Sequence, residues 1–183
     1  EEIIMELTTA KIAQTFEVLK EKLSLSNIMQ TPKVEKVVVS VGIGSVKDKN
    51  KLALIENRLM KITGQKPRKN PAKKSIAAFK LREGDLVGYQ VTLRGDRMRS
   101  FIDKLVHIAL PRTKDFRGIE TKGFDNMGNY TLGIKEHTIF PETSDEDVRD
   151  IFGMSVTFVT TADTKEKAKM LLDYLGMPFK KEE

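Results

Sequence analysis

The chain has 183 residues, with 32 Lys and Arg against 26 Asp and Glu, a formal charge of +6, and neither Cys nor Trp. That length supports one sizeable core and reads as a single domain, 1–183, while the absence of Cys excludes disulfide frameworks, thiolate zinc sites and Cys nucleophiles. No apolar run approaches the roughly 18 residues needed to span a bilayer, and EEIIMELTTAK opens with acids where a secretory signal carries positive charge, so a soluble cytoplasmic protein without a membrane partner is expected.

Ile12, Phe16, Leu19 and Leu23 recur at helical spacing and predict an amphipathic helix. EKVVVSVGIG then alternates: Val37, Val39, Val41 and Ile43 fall on one side, and Lys36, Val38, Ser40, Gly42 and Gly44 on the other. Leu52, Ile55, Leu59 and Ile62 mark a second helix. GQKPRKNPAKKSIAAFKLREG, residues 64–84, gathers Lys66, Arg68, Lys69, Lys73, Lys74, Lys80 and Arg82 with the single acid Glu83. Lys73 and Lys74 lie between Pro71 and the short run SIAAF. The chain is expected to leave the body there and return through a turn at Gly84.

LVGYQVTLR sets Val87, Tyr89, Val91 and Leu93 against Gly88, Gln90, Thr92 and Arg94. Phe101, Ile102, Leu105 and Ile108 predict a helix after Gly95. Residues 111–128, PRTKDFRGIETKGFDNMG, show neither period, and Phe116, Ile119 and Phe124 anchor them as an ordered loop presenting Arg112, Lys114, Arg117 and Lys122. NYTLGIK and MSVTFVTT alternate like the earlier strands, and Ala168, Leu171, Leu172 and Leu175 predict a last helix stopped at Gly176.

Four strands with one apolar and one polar side imply an α+β fold: a single mixed or antiparallel sheet with helices packed on one face, an open polar face and a protruding basic loop. The polar face is built mostly from Ser, Thr, Gly, Gln, Asn, Lys and Arg, short or hydrogen-bonding groups that let a sugar-phosphate backbone lie close. Charge points the same way. From Lys61 to Arg99 there are 11 Lys and Arg against Glu83, Asp85 and Asp96, a net of +8 in a chain whose total is +6. One region carries the whole excess, the footprint of a polyanion partner or, on charge alone, equally of a solvated basic surface.

Catalytic signals are weak. GIGSVK, residues 42–47, has Lys47 where a dinucleotide fingerprint has its third glycine, and no nucleotide-cradling GxxxxGK[ST] loop occurs. Two histidines, His107 and His137, without Cys or HExxH spacing, offer no metal site, and no cofactor is expected. PETSDEDVRD, residues 141–150, clusters carboxylates. Glu142, Asp145 and Asp147 could serve a magnesium-dependent nuclease, while helix initiation capped by Ser144 is the simpler account. The aromatic pattern of an RRM is missing, so base stacking on the sheet is not the expected mode.

Taken together, MQTPKVEKVVVSVGIG (29–44), ITGQKP (62–67), KKSIAAFKLREG (73–84), VTLRGDRM (91–98), PRTKDFRG (111–118), GFDNMGNYTLGIKEHTIFPE (123–142) and GMPF (176–179) resemble the bacterial form of large-subunit ribosomal protein five, the family that binds 5S ribosomal RNA. The resemblance implies a non-enzymatic protein that binds 5S RNA and attaches it to 23S RNA in the central protuberance of the large subunit. It also implies a basic loop reaching transfer RNA in the peptidyl site and proximity to a small-subunit head protein. Carried over motif by motif, it puts 5S RNA on Ser40, Gly42, Gly44, Gln65, Gln90, Thr92, Arg94 and Arg117, and transfer RNA on Lys73, Lys74, Ser75, Lys80 and Arg82. The sequence departs from the family where Ser40 replaces the usual Asn, Ala78 a common Gly and His137 a common Gln.

Overall fold

The computed structural model describes residues 8–44, 46, 48–143 and 151–180. Five strands form one sheet: β1 (Val34–Gly42), β2 (Arg68–Pro71), β3 (Leu86–Leu93), β4 (Tyr130–Ile134) and β5 (Met154–Thr160), in the order β2-β3-β1-β5-β4. The sheet is antiparallel. β2 pairs with β3 in register Arg68↔Gln90 and Lys69↔Tyr89. The Ile43 N–H donates to the Val87 carbonyl between β1 and β3, and the Ser155 hydroxyl to the Ser40 carbonyl between β5 and β1. Among the described residues four α-helices accompany the strands: α1 (Thr8–Lys22), α2 (Lys49–Thr63), α3 (Gly95–Lys104) and α4 (Lys165–Tyr174).

The alternation read in the strands is what the burial follows. Val37, Val39, Val41, Tyr89, Val91, Leu93, Val156 and Phe158 are all buried, whereas Gly42, Thr92, Thr131 and Gly133 on the opposite side are exposed. Burying one such aliphatic side chain contributes about 1.5–3 kcal/mol, so a one-residue slip would turn this whole set to solvent.

The described residues fall into two compact units, one comprising Glu1–Val37, Arg94–Leu132 and Thr157–Glu183, the other Val38–Leu93 and Gly133–Val156. In the first, the N-terminal turn of α1 is held by α3, where the Asp103 carboxylate accepts from the Thr8 backbone N–H and hydroxyl. Phe124, Tyr130, Phe158 and Phe179 form a tilted and edge-on aromatic cluster, with the Tyr130 hydroxyl donating to the Glu120 carbonyl at 2.9 Å. The irregular segment 111–128 is ordered, with Ile119 and Phe124 buried as anchors and Arg112, Lys114, Arg117 and Lys122 exposed.

In the second unit, α2 starts at the Asp48 cap, whose carboxylate accepts from the Asn50 N–H, and stops at Gly64 in the left-handed conformation. Its Ile55, Leu59 and Ile62 are buried. On the apolar side of β3 the Tyr89 hydroxyl reaches the Leu52 carbonyl and the Glu56 carboxylate of α2, and Lys69 of β2 pairs with Glu56 at 3.2 Å.

Two sequence expectations need correction. Residues 68–71 form a fifth strand, which is not among the four alternating runs read from the sequence. RKNP has no apolar alternation because β2 is an edge strand with one partner, where charge and proline are tolerated. The helix after Gly95 does not keep Ile108 on its apolar stripe. Beyond Lys104 the backbone widens to a π-type turn over Leu105–Ala109, with the Leu110 N–H bonding the Leu105 carbonyl. The extra residue in that turn rotates Ile108 out and puts Ala109 in the core.

Candidate nucleic-acid interface

In the second unit the register set by the Ile43–Val87 bond places Ser40 opposite Gln90 and Gly42 opposite Gly88, on the face away from Tyr89 and α2. Gln90 accepts from the Asn70 side-chain amide at 3.4 Å, and the Gln65 amide donates to the Thr92 carbonyl at 3.4 Å. Neither the Ser40 nor the Thr92 hydroxyl has a hydrogen-bond partner among the described residues. Ser40, Gly42, Gly44, Gln65, Gln90 and Thr92, assigned to 5S RNA from the sequence, therefore all lie in this unit.

The glycines separate into two kinds. A Cβ at Gly88 would sit 3.0 Å from the Val41 carbonyl oxygen, so the sheet itself excludes a side chain there. At Gly42, Gly44 and Gly133 a Cβ would meet nothing within 4 Å, and none of the three has the positive φ that demands glycine. Their own fold gives no reason for the missing side chain.

Arg94 and Arg117 belong to the other unit. Arg94 precedes α3 and pairs with Glu35 of β1 at 3.0 Å, both side chains about half exposed. Arg117 stands exposed beside Gly118, whose φ of 95° and closeness to the Lys180 backbone fix the turn. Arg68 and Asn70 of β2 share the polar face with Gln90 through the β2–β3 register, and the sequence reading did not single them out for 5S RNA. Nothing in RKNP marks their direction, which comes from pairing with β3; Lys69 between them turns toward α2.

The residues assigned to transfer RNA form a separate construction. The Ala72 N–H donates to the Asp85 carbonyl at 2.7 Å and the Gly84 N–H to the Ala72 carbonyl at 3.0 Å, closing a neck. Above it Ile76 and Leu81 bridge in both directions, and Ala77–Phe79 make a single 3-10 turn ending at Lys80. Lys73, Lys74, Ser75, Lys80 and Arg82 are all exposed. The Ser75 hydroxyl oxygen accepts from the Glu83 N–H, and the Asp85 carboxylate from the Arg82 N–H, so Ser75 and Arg82 also brace the loop.

Other sequence candidates fall elsewhere. His137 is fully buried, its ring stacked on Phe152 at 4.1 Å and its Nε2 3.2 Å from Arg58. Glu142 is exposed; Ser144, Asp145 and Asp147 lie outside the described residues. Among the described residues no group of three or more His, Asp or Glu is placed to hold a metal ion.

A net-positive α+β protein with a shallow polar sheet face and a cation-bearing appendage has the features sought in a nucleic-acid-binding protein. Residues 27–82 match the family model described as "Ribosomal protein L5", and residues 86–179 match the model of that family's C-terminal part; the chain belongs to the ribosomal protein L5 family. It is 55% identical over 164 residues, 89% of each chain, to the large ribosomal subunit protein uL5 of Ureaplasma parvum serovar 3. The protein of the same name from Natranaerobius thermophilus is 52% identical over 163 residues, 88% of this chain and 90% of its own. This is a family of ribosomal structural proteins and not of enzymes, which removes the nuclease alternative.

Proposed function

We propose that the chain is a structural constituent of the large ribosomal subunit that binds 5S ribosomal RNA and attaches it to 23S ribosomal RNA. The polar sheet face carries the first task through Ser40, Gly42, Gly44, Gln65, Gln90 and Thr92, with Arg94 and Arg117 holding phosphates. Support comes above all from Gly42 and Gly44, exposed glycines that neither backbone conformation nor internal packing requires. A nucleic-acid backbone lying against the strand does require them, and unpartnered hydroxyls beside it supply donors.

The loop above the Ala72–Asp85 neck takes a second partner, transfer RNA in the peptidyl site, through Lys73, Lys74, Ser75, Lys80 and Arg82. Flexible point charges suit a backbone that must be held whatever its sequence. The whole chain, 1–183, works as one RNA-binding domain, a reading supported by β1, β4 and β5, each of which contributes residues to both compact units. It acts on the cytoplasmic ribosome, beside neighbouring ribosomal proteins that include one of the small-subunit head. No helix among the described residues is long and apolar enough to cross a membrane.

The deciding experiment titrates the purified chain with 5S RNA and with an unrelated RNA of equal length at physiological salt. Preference for 5S RNA by at least roughly tenfold is expected. Equal affinities would reduce the sheet face to a generic polyanion surface.

A further inference from the structure

Phe79 stands at the tip of the loop with 79% of its surface exposed. Its position is built, because the Ile76–Leu81 bridge, the turn Ala77–Phe79 and Lys80 hold the tip in one shape. Lys80 closes that turn at φ 51°, in the left-handed region where glycine or asparagine fits more cheaply. The loop thus keeps a long cation at a position its backbone would rather give to glycine, next in the chain to an aromatic ring that is mostly uncovered.

Small Ala77 and Ala78 precede the ring, most of whose surface is open. Lys73, Lys74 and Arg82 lie in the same short excursion. An apolar protein groove would match the ring but not the cations around it. A nucleic acid matches both, since each base offers a π-face and each nucleotide a phosphate within a few ångströms of it.

We propose that Phe79 is a stacking platform for an unpaired or helix-ending base of the RNA held by this loop, so that the lysines hold backbone while the ring fixes where along it the loop sits. The proposal rests on the reading of the loop as a transfer RNA contact and adds a base contact to it. It also divides recognition within the chain: the sheet face works by shape and hydrogen bonding, the loop tip by stacking.

Ribosomes carrying variants of the full chain test it, with the dissociation rate of deacylated transfer RNA from the peptidyl site measured at two salt concentrations. Phe79 is exposed, so its replacement leaves the fold unstrained. Phe79→Tyr and Phe79→Trp are expected to stay within about twofold of the parent, while Phe79→Leu and Phe79→Ala release transfer RNA about tenfold faster, with the salt dependence unaltered. Lys73→Ala with Lys74→Ala accelerates release and flattens the salt dependence. If Phe79→Leu holds transfer RNA like the parent, the ring serves an apolar contact and stacking is wrong. If Phe79→Ala does so too while the lysine pair matters, the ring touches nothing and only the stacking proposal falls. If neither Phe79 nor the lysine pair matters, the loop's assignment to transfer RNA falls with it.

Discussion

The sheet surface around Ser40, Gly42, Gln90 and Thr92 and the excursion between Ala72 and Asp85 lie in one compact unit, and they are made in opposite ways. On the sheet, every backbone is tied to a neighbour and the side chains are short or absent: Ser40, Gly42, Gln90 and Thr92. Above the neck, the Ile76–Leu81 bridge and one 3-10 turn hold the chain, and the side chains are mostly long and charged. The first surface can discriminate, because a rigid shallow face accepts only a matching shape. The second can hold on, because mobile ammonium groups neutralise phosphate without demanding one geometry.

The largest expected effect is at Gly42. Its Cβ position is open and its φ ordinary, so Gly42→Leu should fold normally yet lower 5S RNA affinity by about 2–3 kcal/mol, through lost close approach. Intact affinity in the folded variant, measured by filter binding, would break the contrast at its stronger side. Thr92→Ala and Arg94→Ala come next, at about 1–3 kcal/mol of RNA affinity each if they touch the RNA directly. Arg94 should cost little stability, because its exposed pair with Glu35 contributes only about 0–1 kcal/mol.

Changing Lys73 and Lys74 together to Ala sharpens the comparison from the other side: 5S RNA affinity should move by less than about twofold while transfer RNA retention on ribosomes falls. A variant that lost 5S RNA and kept transfer RNA would reverse the assignment. Arg117→Ala should flatten the slope of log affinity against log salt by about one phosphate contact, roughly 0.7–0.9.

The smallest effect is a control on the buried side of β3. Tyr89→Phe removes bonds to Leu52 and Glu56, at about 0.5–1.5 kcal/mol of stability, without touching RNA affinity. Burial, and then the Glu56 carboxylate, push the Tyr89 phenol up. The folded state favours the neutral form, so this contribution is complete below the ordinary phenol value of about 10 and fades as pH rises through the raised one. Chemical denaturation of parent and Tyr89→Phe across that window reads the difference, and a difference that grew with pH would contradict it.

The four strands carrying Val37, Val91, Tyr130 and Phe158 were legible because burial on one face imposes a period of two on the sequence. β2 was not, because an edge strand with charged residues owes its place to β3 and leaves no apolar trace. Ile108 misled for a related reason: a π-type turn changes the period after the stripe has begun. At the candidate site, the motif at 40–44 points to one strand, but only the geometry separates Gly42, open to solvent, from Gly88, closed by Val41. Arg68 was hidden in a run of cations whose individual directions depend on pairing with Gln90 and Tyr89.

The neck at Ala72 and Asp85 also governs how this protein can change length. Backbone bonds close the excursion there, so residues added at its tip leave the β2–β3 pairing alone, and doubling a flexible loop costs only about 0.6 kcal/mol of closure entropy. A single residue inserted within β1 would instead turn Val39 outward and Ser40 inward beyond the insertion. An insertion between Lys73 and Glu83 is therefore expected to leave folding intact and change only how far the loop reaches, whereas one within β1 is expected to cost the fold.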